Sequence, residues 1–439
     1  MINKDSLQKR NAAILPHLDE RQRRLFAAAE AKAAGYGGIA AVSRVTRIAA
    51  STIGRGLKDI EAPDSLAPGR VRRAGGGRKS LTKTDPHLLD PAMTALREFD
   101  RRLRYWNRET AVGRLFARLD AVHSSGAEGS TTTFTDLMEY ETSLRIAPDV
   151  DDAAVVAACA DAFQEGIGDG GLEGLVVRIH RRLFEHAPDK MVAAGAGKFK
   201  MRPNFVRDPE FPDGFFGYTN PPLVVDALRD WREFTLTSDA RTPELVRQLL
   251  SHWMFEHIHP VPDGNGRIGR LLVPILMKWK GQTAMACTFF GEAVHEDKAL
   301  YVEALKDARI TGKMSNYSRQ MLAFVRTTAQ ANLERLDKLQ SLEAEWKAHF
   351  ANVRSDSVVH RLVEYAVTKP VFTVNDAQAQ LKVSYAAANT AAQALTNAGI
   401  LAVPQDVRRD RLFHAEQVLG IFDRFRPQPL QTAAAHSMK

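Results

Sequence analysis

Residues His259 to Arg270 read His-Pro-Val-Pro-Asp-Gly-Asn-Gly-Arg-Ile-Gly-Arg, and this stretch decides how the rest of the chain is interpreted. It holds a titratable His, an acid, a Gly-rich turn and two Arg. Apolar residues at helical spacing precede and follow it, which predicts two helices joined by a turn. The first turn of a helix presents unpaired backbone N–H groups, which form an anion site with the helix dipole. A base, an acid and an anion site in one loop indicate phosphate chemistry on a nucleotide.

Each polar residue of this loop also has a structural alternative. His259 suits a general base, because an imidazole titrates near neutrality, but a lone His here would more simply end a helix by capping carbonyls. Asp263 suits Mg²⁺ and is otherwise an ordinary turn residue before Gly. Arg267 and Arg270 lie in the first turn of the second helix, where a cation opposes the dipole unless an anion binds. The combination of a His, an acid and two Arg in one short stretch favours phosphate binding over these structural alternatives.

The composition is that of a globular protein, and 439 residues leave room for roughly two to four domains. Cys159 and Cys287 lie far apart, which argues against a disulfide framework or a Cys-based metal site and fits a reducing cytosol. The sequence has no apolar stretch typical of a signal peptide and no run of about 18 apolar residues. We therefore expect a cytoplasmic protein with no membrane partner.

The net charge of +8 is concentrated at one end of the chain. Residues 1–90 hold 17 Lys and Arg against 9 Asp and Glu, and the rest of the chain carries no net charge. This asymmetry predicts a segment that faces nucleic acid, joined to a neutral body.

Helical periodicity predicts a mainly α chain. Two short helices with a tight turn within residues 17–60 suggest a helix-turn-helix. Residues 195–222 alternate aromatic residues with Gly, Pro and Asp, which predicts a β-hairpin flap. Near the end of the chain, three helices and a two-stranded wing predict a winged helix, in which Thr373 caps the second helix and Gly399 ends the third.

Residues 259–270 resemble the Fic family motif His-Pro-Phe-x-Asp/Glu-Gly-Asn-Gly-Arg-x-x-Arg. They match it everywhere except at Val261, where Phe is usual and where we expect the side chain to pack inward. The flanking stretches His252-Trp-Met-Phe-Glu256 and Leu271-Leu-Val-Pro274 are also similar to the family. The resemblance spans roughly residues 95–425.

The resemblance implies transfer of AMP from ATP to a Ser, Thr or Tyr hydroxyl of a target protein, with release of pyrophosphate. It assigns His259 as the base that takes the hydroxyl proton, and Asp263 as the ligand that holds Mg²⁺ against the α- and β-phosphates. The other motif residues would hold the phosphates: Gly264, Asn265 and Gly266 as an anion hole, Arg267 at the phosphates and Arg270 at the γ-phosphate. ATP and Mg²⁺ are therefore the expected substrate and cofactor.

The same resemblance implies roles for two more regions. The flap, with Gly197-Lys198-Phe199-Lys200 near its start, would hold a target segment by strand addition. Tyr301 and Arg309 match a helix that borders the adenine pocket, and helix packing explains them equally well. His252 and His257 are interpreted as structural, because the family pattern assigns them no chemistry.

The stretch Ser124-Ser-Gly-Ala-Glu128-Gly129 resembles the inhibitory helix motif of many Fic proteins, Ser/Thr-x-x-x-Glu-Gly/Asn. The resemblance implies that Glu128 pairs with Arg270 and displaces the γ-phosphate of ATP. The two residues before Glu128 are smaller than is usual there, which predicts a weak helix. The alternative is a helix-capping Ser124 with an exposed Glu128.

Residues 15–90 resemble the N-terminal DNA-binding region of bacterial insertion-sequence transposases, through Leu18-Asp-Glu-Arg-Gln-Arg-Arg24 and Gly75-Gly-Gly-Arg-Lys79 among other stretches. The turn of the helix-turn-helix departs from that family, whereas Arg55 and Lys58 remain to contact phosphates. Non-specific DNA affinity and a solvated basic appendage are both consistent with these residues.

The predicted fold class is mainly α: a Fic helical core with a β-hairpin flap, an N-terminal helix-turn-helix-like segment and a C-terminal winged helix. The predicted boundaries, in chain order, are as follows: 1–60 helix-turn-helix-like segment, 61–90 flexible basic linker, 91–190 N-terminal Fic helices with the inhibitory motif, 191–330 catalytic core, 331–352 connecting helix, 353–425 winged helix and 426–439 disordered tail.

The leading hypothesis is an autoinhibited protein adenylyltransferase, a nucleotidyltransferase whose target protein the sequence does not specify. One rival is an enzyme that removes AMP, or transfers another nucleotide, with the same loop. The other rival is a DNA-binding regulator whose Fic loop is idle. Intact His259 and Asp263 argue against the second rival.

If residues 1–90 bind DNA, this segment is expected to retain duplex DNA on a filter, with an affinity that falls steeply as salt rises. The physical reason is that Lys and Arg release counterions when they neutralise phosphates. A salt series in the filter assay measures this slope. Absence of salt-dependent retention would remove the DNA hypothesis.

Overall fold

The computed structural model describes residues 20–35, 38–46, 48, 50–61, 86–106, 109–142, 150–185, 195–207, 214–238, 242–286, 290–403 and 411–423. These residues are mainly helical with two small antiparallel sheets, which confirms the predicted class. Most of the predicted linker, the whole predicted tail and Cys287 lie outside the described residues. The chain divides into two compact units, residues 1–81 and 82–439.

Three helices form the described part of the first unit. They are α1 (Glu20–Ala33), α2 (Gly38–Thr46) and α3 (Ala50–Glu61). They pack on a small apolar core of Ala27, Ala31, Val42 and Ile53. Helices α1 and α3 cross closely because Gly56 has no side chain: a Cβ there would lie 2.7 Å from the Cβ of Ala28. Lys58 is exposed, and the side chain of Arg55 lies outside the described part. A DNA contact through α3 stays a prediction.

The second unit is a helical core interrupted by one β-hairpin. Its helices before the hairpin are α4 (Pro86–Tyr105), α5 (Glu109–Gly126), α6 (Phe134–Thr142), α7 (Val150–Ala162) and α8 (Gly171–Phe184). After the hairpin follow α9 (Val224–Leu236), α10 (Glu244–Ile258), α11 (Asn265–Trp279), α12 (Gly291–Glu296), α13 (Lys298–Thr311) and α14 (Met314–His349). In the part of the chain that the structure describes, no helix is both long and apolar enough to span a bilayer.

Helices α10 and α11 pack against each other at the centre of this unit, as the apolar spacing on both sides of the loop predicts. Their facing side chains, such as Phe255, Ile258, Ile268 and Leu271, are buried in one core. Val261, in the loop between them, is fully buried, which confirms that this position packs inward. Burial of both helices holds the two ends of the loop in place.

The predicted hairpin is present but shorter than residues 195–222. Strands β1 (Phe205–Arg207) and β2 (Phe215–Gly217) pair antiparallel, with Val206 opposite Phe216. The predicted connecting helix, in contrast, is longer than expected: α14 runs without interruption for 36 residues from Met314, because its apolar side packs on both α4 and α13.

The last part of the unit contains helices α15 (Val358–Thr368), α16 (Val374–Leu381), α17 (Tyr385–Asn397) and α18 (Glu416–Phe422), with strands β3 (Val371–Phe372) and β4 (Phe413–His414). Thr373 forms a capping box with Asp376 at the start of α16, as predicted. Gly399 follows the end of α17 with a φ of 71°, also as predicted. Strand β4 pairs with β3 and bridges to Ala402. The tip of the expected wing, residues 404–410, lies outside the described part, so the winged helix stays a prediction.

This C-terminal part is joined to the core through the start of α6. The carboxylate of Asp423 accepts hydrogen bonds from the backbone N–H groups of Phe134 and Thr135, both at 3.0 Å. It also accepts one from the hydroxyl of Thr135. The ring of Phe422 stacks on that of Phe134 with 4.7 Å between centroids. A residue at the far end of the chain thus caps the helix that follows the stretch 124–129.

Replacement of Asp423 by Ala is expected to lower the free energy of unfolding by about 1–2 kcal/mol, because the first N–H groups of α6 lose their acceptor. Urea denaturation measures this difference. Asp356→Ala is the matched control: its carboxylate is 69% exposed beside Arg354, and its loss should cost less than about 0.5 kcal/mol. Equal effects of the two substitutions would contradict the capping role.

Candidate functional site

The loop after α10 adopts a backbone conformation that few residues tolerate. His259 ends the helix with a φ of 52°, in the left-handed region. This conformation costs a residue with a Cβ about 1 kcal/mol, and such outliers concentrate at functional sites. Gly264, with a φ of 75°, then turns the chain into α11, where a Cβ would lie 2.7 Å from the ring of Phe184. The backbone therefore directs both the His259 side chain and the start of α11 to the same side of the loop.

Asn265 closes this loop with its side chain. Its amide oxygen accepts a hydrogen bond from the N–H of Val261 at 3.0 Å, and its amide nitrogen donates to the carbonyl of Val261 at 2.8 Å. Both polar groups of this side chain therefore serve the loop, and a part for Asn265 in an anion hole stays a prediction. The backbone N–H groups of the first turn of α11 are left as the donors for an anion.

A cavity of about 560 Å³ opens beside the loop, within the usual size of a ligand site. It collects side chains from four separate stretches of the second unit. The predicted site residues that line it are Glu128, His259, Asp263, Gly264, Asn265, Gly266, Arg267, Arg270, Tyr301 and Arg309. Tyr218 and Glu256 also line the cavity, although the sequence did not predict either of them as a site residue.

Arg270 is only 3% exposed, and the end of α5 supplies its partners. Its guanidinium donates to the hydroxyl of Ser124 at 2.9 Å, to the carbonyl of Ser124 at 2.8 Å and to the carboxylate of Glu128 at 2.6 Å. Burial alone would raise the pKa of Glu128, but the charge and hydrogen bond of Arg270 outweigh burial and hold that pKa below its ordinary value.

These contacts address the alternative that Ser124 caps a helix beside an exposed Glu128. Ser124 is buried within α5 and binds Arg270, so it does not cap that helix. The helix is well formed up to Gly126, and Glu128 lies in the turn just beyond it. Gly129 adopts a φ of 100° in that turn and does not line the cavity.

The imidazole of His259 lines the cavity and lies against the backbone of α10 through its Nδ1 atom. Its Nδ1 lies 3.2 Å from the carbonyl oxygen of Glu256, and an Nδ1–H that donates to this carbonyl leaves the lone pair on Nε2. Burial is the main cause that lowers the pKa of His259 to about 4, although the hydrogen bond to Glu256 acts in the opposite direction. The ring is therefore neutral at physiological pH and able to accept a proton.

Asp263 and Arg267 present opposite charges at the start of α11. The Asp263 side chain is exposed and accepts a hydrogen bond from the N–H of Gly264 at 2.6 Å. The Arg267 guanidinium lies 5.3 Å above the ring of Phe184, and within the described residues its buried Nε has no hydrogen-bond partner. Both side chains suit a metal-bound phosphate: the acid as a single metal ligand, the guanidinium as a donor.

The donor set around Asp263 fits Mg²⁺ only if substrate oxygens complete it. Across the described residues, no group of three or more His, Cys, Asp or Glu could hold a metal ion. Magnesium commonly binds one or two protein carboxylates together with phosphate oxygens and water. Asp263 is thus the residue that would hold the ion, and the phosphates would supply further ligands.

Glu256 lines the cavity next to the loop, and His252 is buried behind it. Glu256 lies against Gly269, where a Cβ would come within 2.3 Å of its carboxylate, and burial raises its pKa to about 7. His252 is buried and its Nε2 lies 3.0 Å from the hydroxyl of Tyr301, which confirms a structural role for this His. His257 stacks on the Trp253 ring, also a packing contact. Tyr301 therefore serves packing and lines the cavity at the same time.

Target binding by the stretch Gly197-Lys198-Phe199-Lys200 stays a prediction, and the structure places the Lys200 side chain beneath the loop. This Lys is 3% exposed, and its ammonium donates to the side-chain oxygen of Asn204 at 2.6 Å and to the carbonyl of Ile258 at 3.2 Å. Its backbone N–H donates to the carbonyl of Pro260 at 2.9 Å. The stretch lies before β1 and braces the loop, and only Lys198 within it is exposed.

Asn265→Ala is expected to lower the free energy of unfolding by about 2–3 kcal/mol, because the buried N–H and carbonyl of Val261 lose their partners together. Chemical denaturation measures the loss. Asn397→Ala, an exposed Asn at the end of α17, should change stability by less than about 0.5 kcal/mol. A neutral Asn265→Ala would show that the loop does not depend on this amide.

The part of the chain that holds this loop is similar in sequence to a known protein family. Residues 173–277, which begin within α8, end within α11 and contain the loop, match the Fic/DOC family. A probable protein adenylyltransferase of Aquifex aeolicus (strain VF5) is 26% identical over 168 residues, which cover 37% of this chain and 46% of that protein. A protein adenylyltransferase Fic of Nematostella vectensis is 30% identical over 139 residues, which cover 30% of this chain and 27% of that protein. The match thus spans less than half the length of each relative.

Solved structures of Fic proteins are similar over a larger part of the chain at lower identity. A Fic family protein from Desulfovibrio desulfuricans G20 is 15% identical with a TM-score of 0.48, and covers 76% of this chain and 97% of that chain. Fic-1 (residues 134–508) from C. elegans is 16% identical with a TM-score of 0.44, and covers 76% of this chain and 88% of that chain. By its match over residues 173–277, the chain contains a Fic/DOC family domain.

Proposed function

We propose that this protein is a Fic-type protein adenylyltransferase that transfers AMP from ATP to a Ser, Thr or Tyr hydroxyl of a target protein. One observation carries the proposal: a neutral imidazole, the N–H groups of a helix start and a buried Arg meet in one cavity. The two relatives named as protein adenylyltransferases, which match 37% and 30% of this chain, support the same reaction.

ATP would bind with its phosphates against the start of α11. The helix dipole and the first N–H groups favour a negative charge there, and Arg267 adds a guanidinium at the wall of the same cavity. Asp263 would hold Mg²⁺, which when bound neutralises charge on the phosphates. Tyr301 and Arg309, which line the other side, would border the nucleoside.

The chemical step then needs one proton transfer and one displacement. Nε2 of His259 takes the proton of the target hydroxyl while its oxygen attacks the α-phosphorus. The bond from that phosphorus to the oxygen bridging the β-phosphate breaks, and pyrophosphate leaves. Negative phosphates near the imidazole raise its pKa from the low value of the free site, so substrate binding itself makes His259 a better base.

The ion pair between Glu128 and Arg270 would restrain this activity. A γ-phosphate that binds Arg270 must displace the Glu128 carboxylate, which is 36% exposed on the cavity side. The two anions thus compete for one cation. Each 1.4 kcal/mol or so by which the ion pair is favoured lowers the affinity for the phosphate about tenfold.

Removal of AMP from a modified target is the second candidate reaction, because the same carboxylate faces the cavity that would hold the AMP group. In that reaction Glu128 would take a proton from a water that attacks the phosphorus, and the bond from that phosphorus to the oxygen of the target side chain would break. The two candidates differ in what loss of Glu128 does: it should increase transfer, but it should abolish removal.

Glu128→Gly is expected to increase incorporation of labelled AMP from ATP into the protein itself by about tenfold or more, because Arg270 becomes available to the γ-phosphate. Mass spectrometry should find a gain of one AMP. The matched control is Glu345→Ala, an exposed Glu on α14 that should leave incorporation unchanged. Adding His259→Ala to Glu128→Gly should abolish incorporation.

The two parts of the proposal fail in different ways. Equal incorporation with and without Glu128 would remove the inhibition. No incorporation by the Glu128→Gly protein, or undiminished incorporation after His259→Ala, would remove the transferase mechanism itself.

A further inference from the structure

We propose that Tyr218, at the end of the flap, is a positioning residue that holds the imidazole of His259 in the plane required for proton transfer and shields it from water. The inference deepens the proposed function and rests on it. It assigns the flap a part in the chemistry of His259, in addition to any contact with a target.

The two rings lie face to face. Their centroids are 3.8 Å apart and their planes differ by 10°, close to parallel. The hydrogen bond from Nδ1 to the carbonyl of Glu256 fixes a second degree of freedom, the rotation of the imidazole within its plane. Together the two contacts restrain the orientation of the His259 imidazole, which lines the cavity. A fixed orientation of this kind contributes much of the rate acceleration that a general base provides.

Tyr218 is itself held in place by three parts of the structure. Its backbone N–H donates to the carbonyl of Asn204 at 3.2 Å, while the Asn204 side chain donates to the carbonyl of Val261 at 3.1 Å. Its ring meets that of Phe216 edge to face at 5.3 Å, and the guanidinium of Arg309 lies 3.7 Å from the Phe216 centroid. The flap, α13 and the loop therefore all restrain the ring that covers His259.

Ionisable groups from four directions also surround His259. Glu256 faces it from α10 at 3.9 Å, Asp263 from the loop and Glu128 from the end of α5, while Lys200 faces it from the segment before β1. Burial remains the main cause of its low pKa, and the Tyr218 ring supplies part of that burial. Loss of the ring would admit water to one face of the imidazole, so its pKa should rise toward the ordinary value of 6.5.

An NMR titration of the full chain with labelled histidine tests the proposal without reference to activity. The His259 signal is identified by its loss in His259→Ala. In the parent protein and in Tyr218→Phe, which keeps the stacked ring, His259 should titrate near 4. In Tyr218→Ala and Tyr218→Leu it should titrate markedly higher. Tyr385→Ala, an exposed Tyr on α17, is the matched control and should leave the titration unchanged.

A kinetic test in the Glu128→Gly background separates positioning from simple packing. Tyr218→Leu should lower kcat by about tenfold to a hundredfold with little change in KM for ATP, because the base is misplaced while the nucleotide site stays intact. Since transfer needs the neutral imidazole, the acid limb of the pH profile should move to higher pH. Tyr218→Phe should restore both the rate and the profile.

The outcomes separate this inference from the proposed function. An unchanged His259 pKa in folded Tyr218→Ala or Tyr218→Leu protein overturns the positioning role, whatever the activity. Equal losses in Tyr218→Phe and Tyr218→Leu also overturn it, because the ring would then not be the feature that matters. A shifted pKa without any AMP transfer by the Glu128→Gly parent would instead count against the proposed function alone.

Discussion

A buried guanidinium needs an anionic partner, and this constraint on Arg270 organises the site. At 3% exposure the charge cannot be satisfied by water, and an uncompensated buried charge costs several kcal/mol. The end of α5 supplies that partner through Ser124 and Glu128. In the proposed reaction a phosphate takes the place of the carboxylate. Under this proposal, the anion that pairs with Arg270 would decide whether nucleotide can occupy the cavity productively.

The geometry of the loop follows from contacts on both of its sides. Within the loop, the side chain of Asn265 forms two hydrogen bonds with the backbone of Val261. From the segment before β1, the side chains of Lys200 and Asn204 donate to the carbonyls of Ile258 and Val261. These bonds compensate for the left-handed backbone at His259. Because the loop is held so fully, its imidazole can be buried and neutral instead of exposed and mobile. The flap adds the last restraint through Tyr218.

The segment that carries Glu128 is also connected to the far end of the chain. Helix α6, which follows it, is capped by Asp423 and packed by Phe422. Ser130 and Thr132, between Glu128 and α6, both donate to the carboxylate of Asp152 on α7. The ion pair with Arg270 therefore depends on packing that extends through the C-terminal helices. The proposed inhibitory contact would therefore depend on helices of the second unit beyond the stretch that carries Glu128.

Local chemistry in the sequence determined the helical class, the two helices around residues 259–270, the inward position of Val261 and the caps at Thr373 and Gly399. Periodicity and capping act over a few residues, so a single sequence contains the information. Only the tertiary structure decided that Asn265 binds the loop, that Lys200 is buried beneath it and that Tyr218 covers His259. Those roles depend on partners brought together from distant parts of the chain, and no local spacing records which distant side chains will meet once the core has packed.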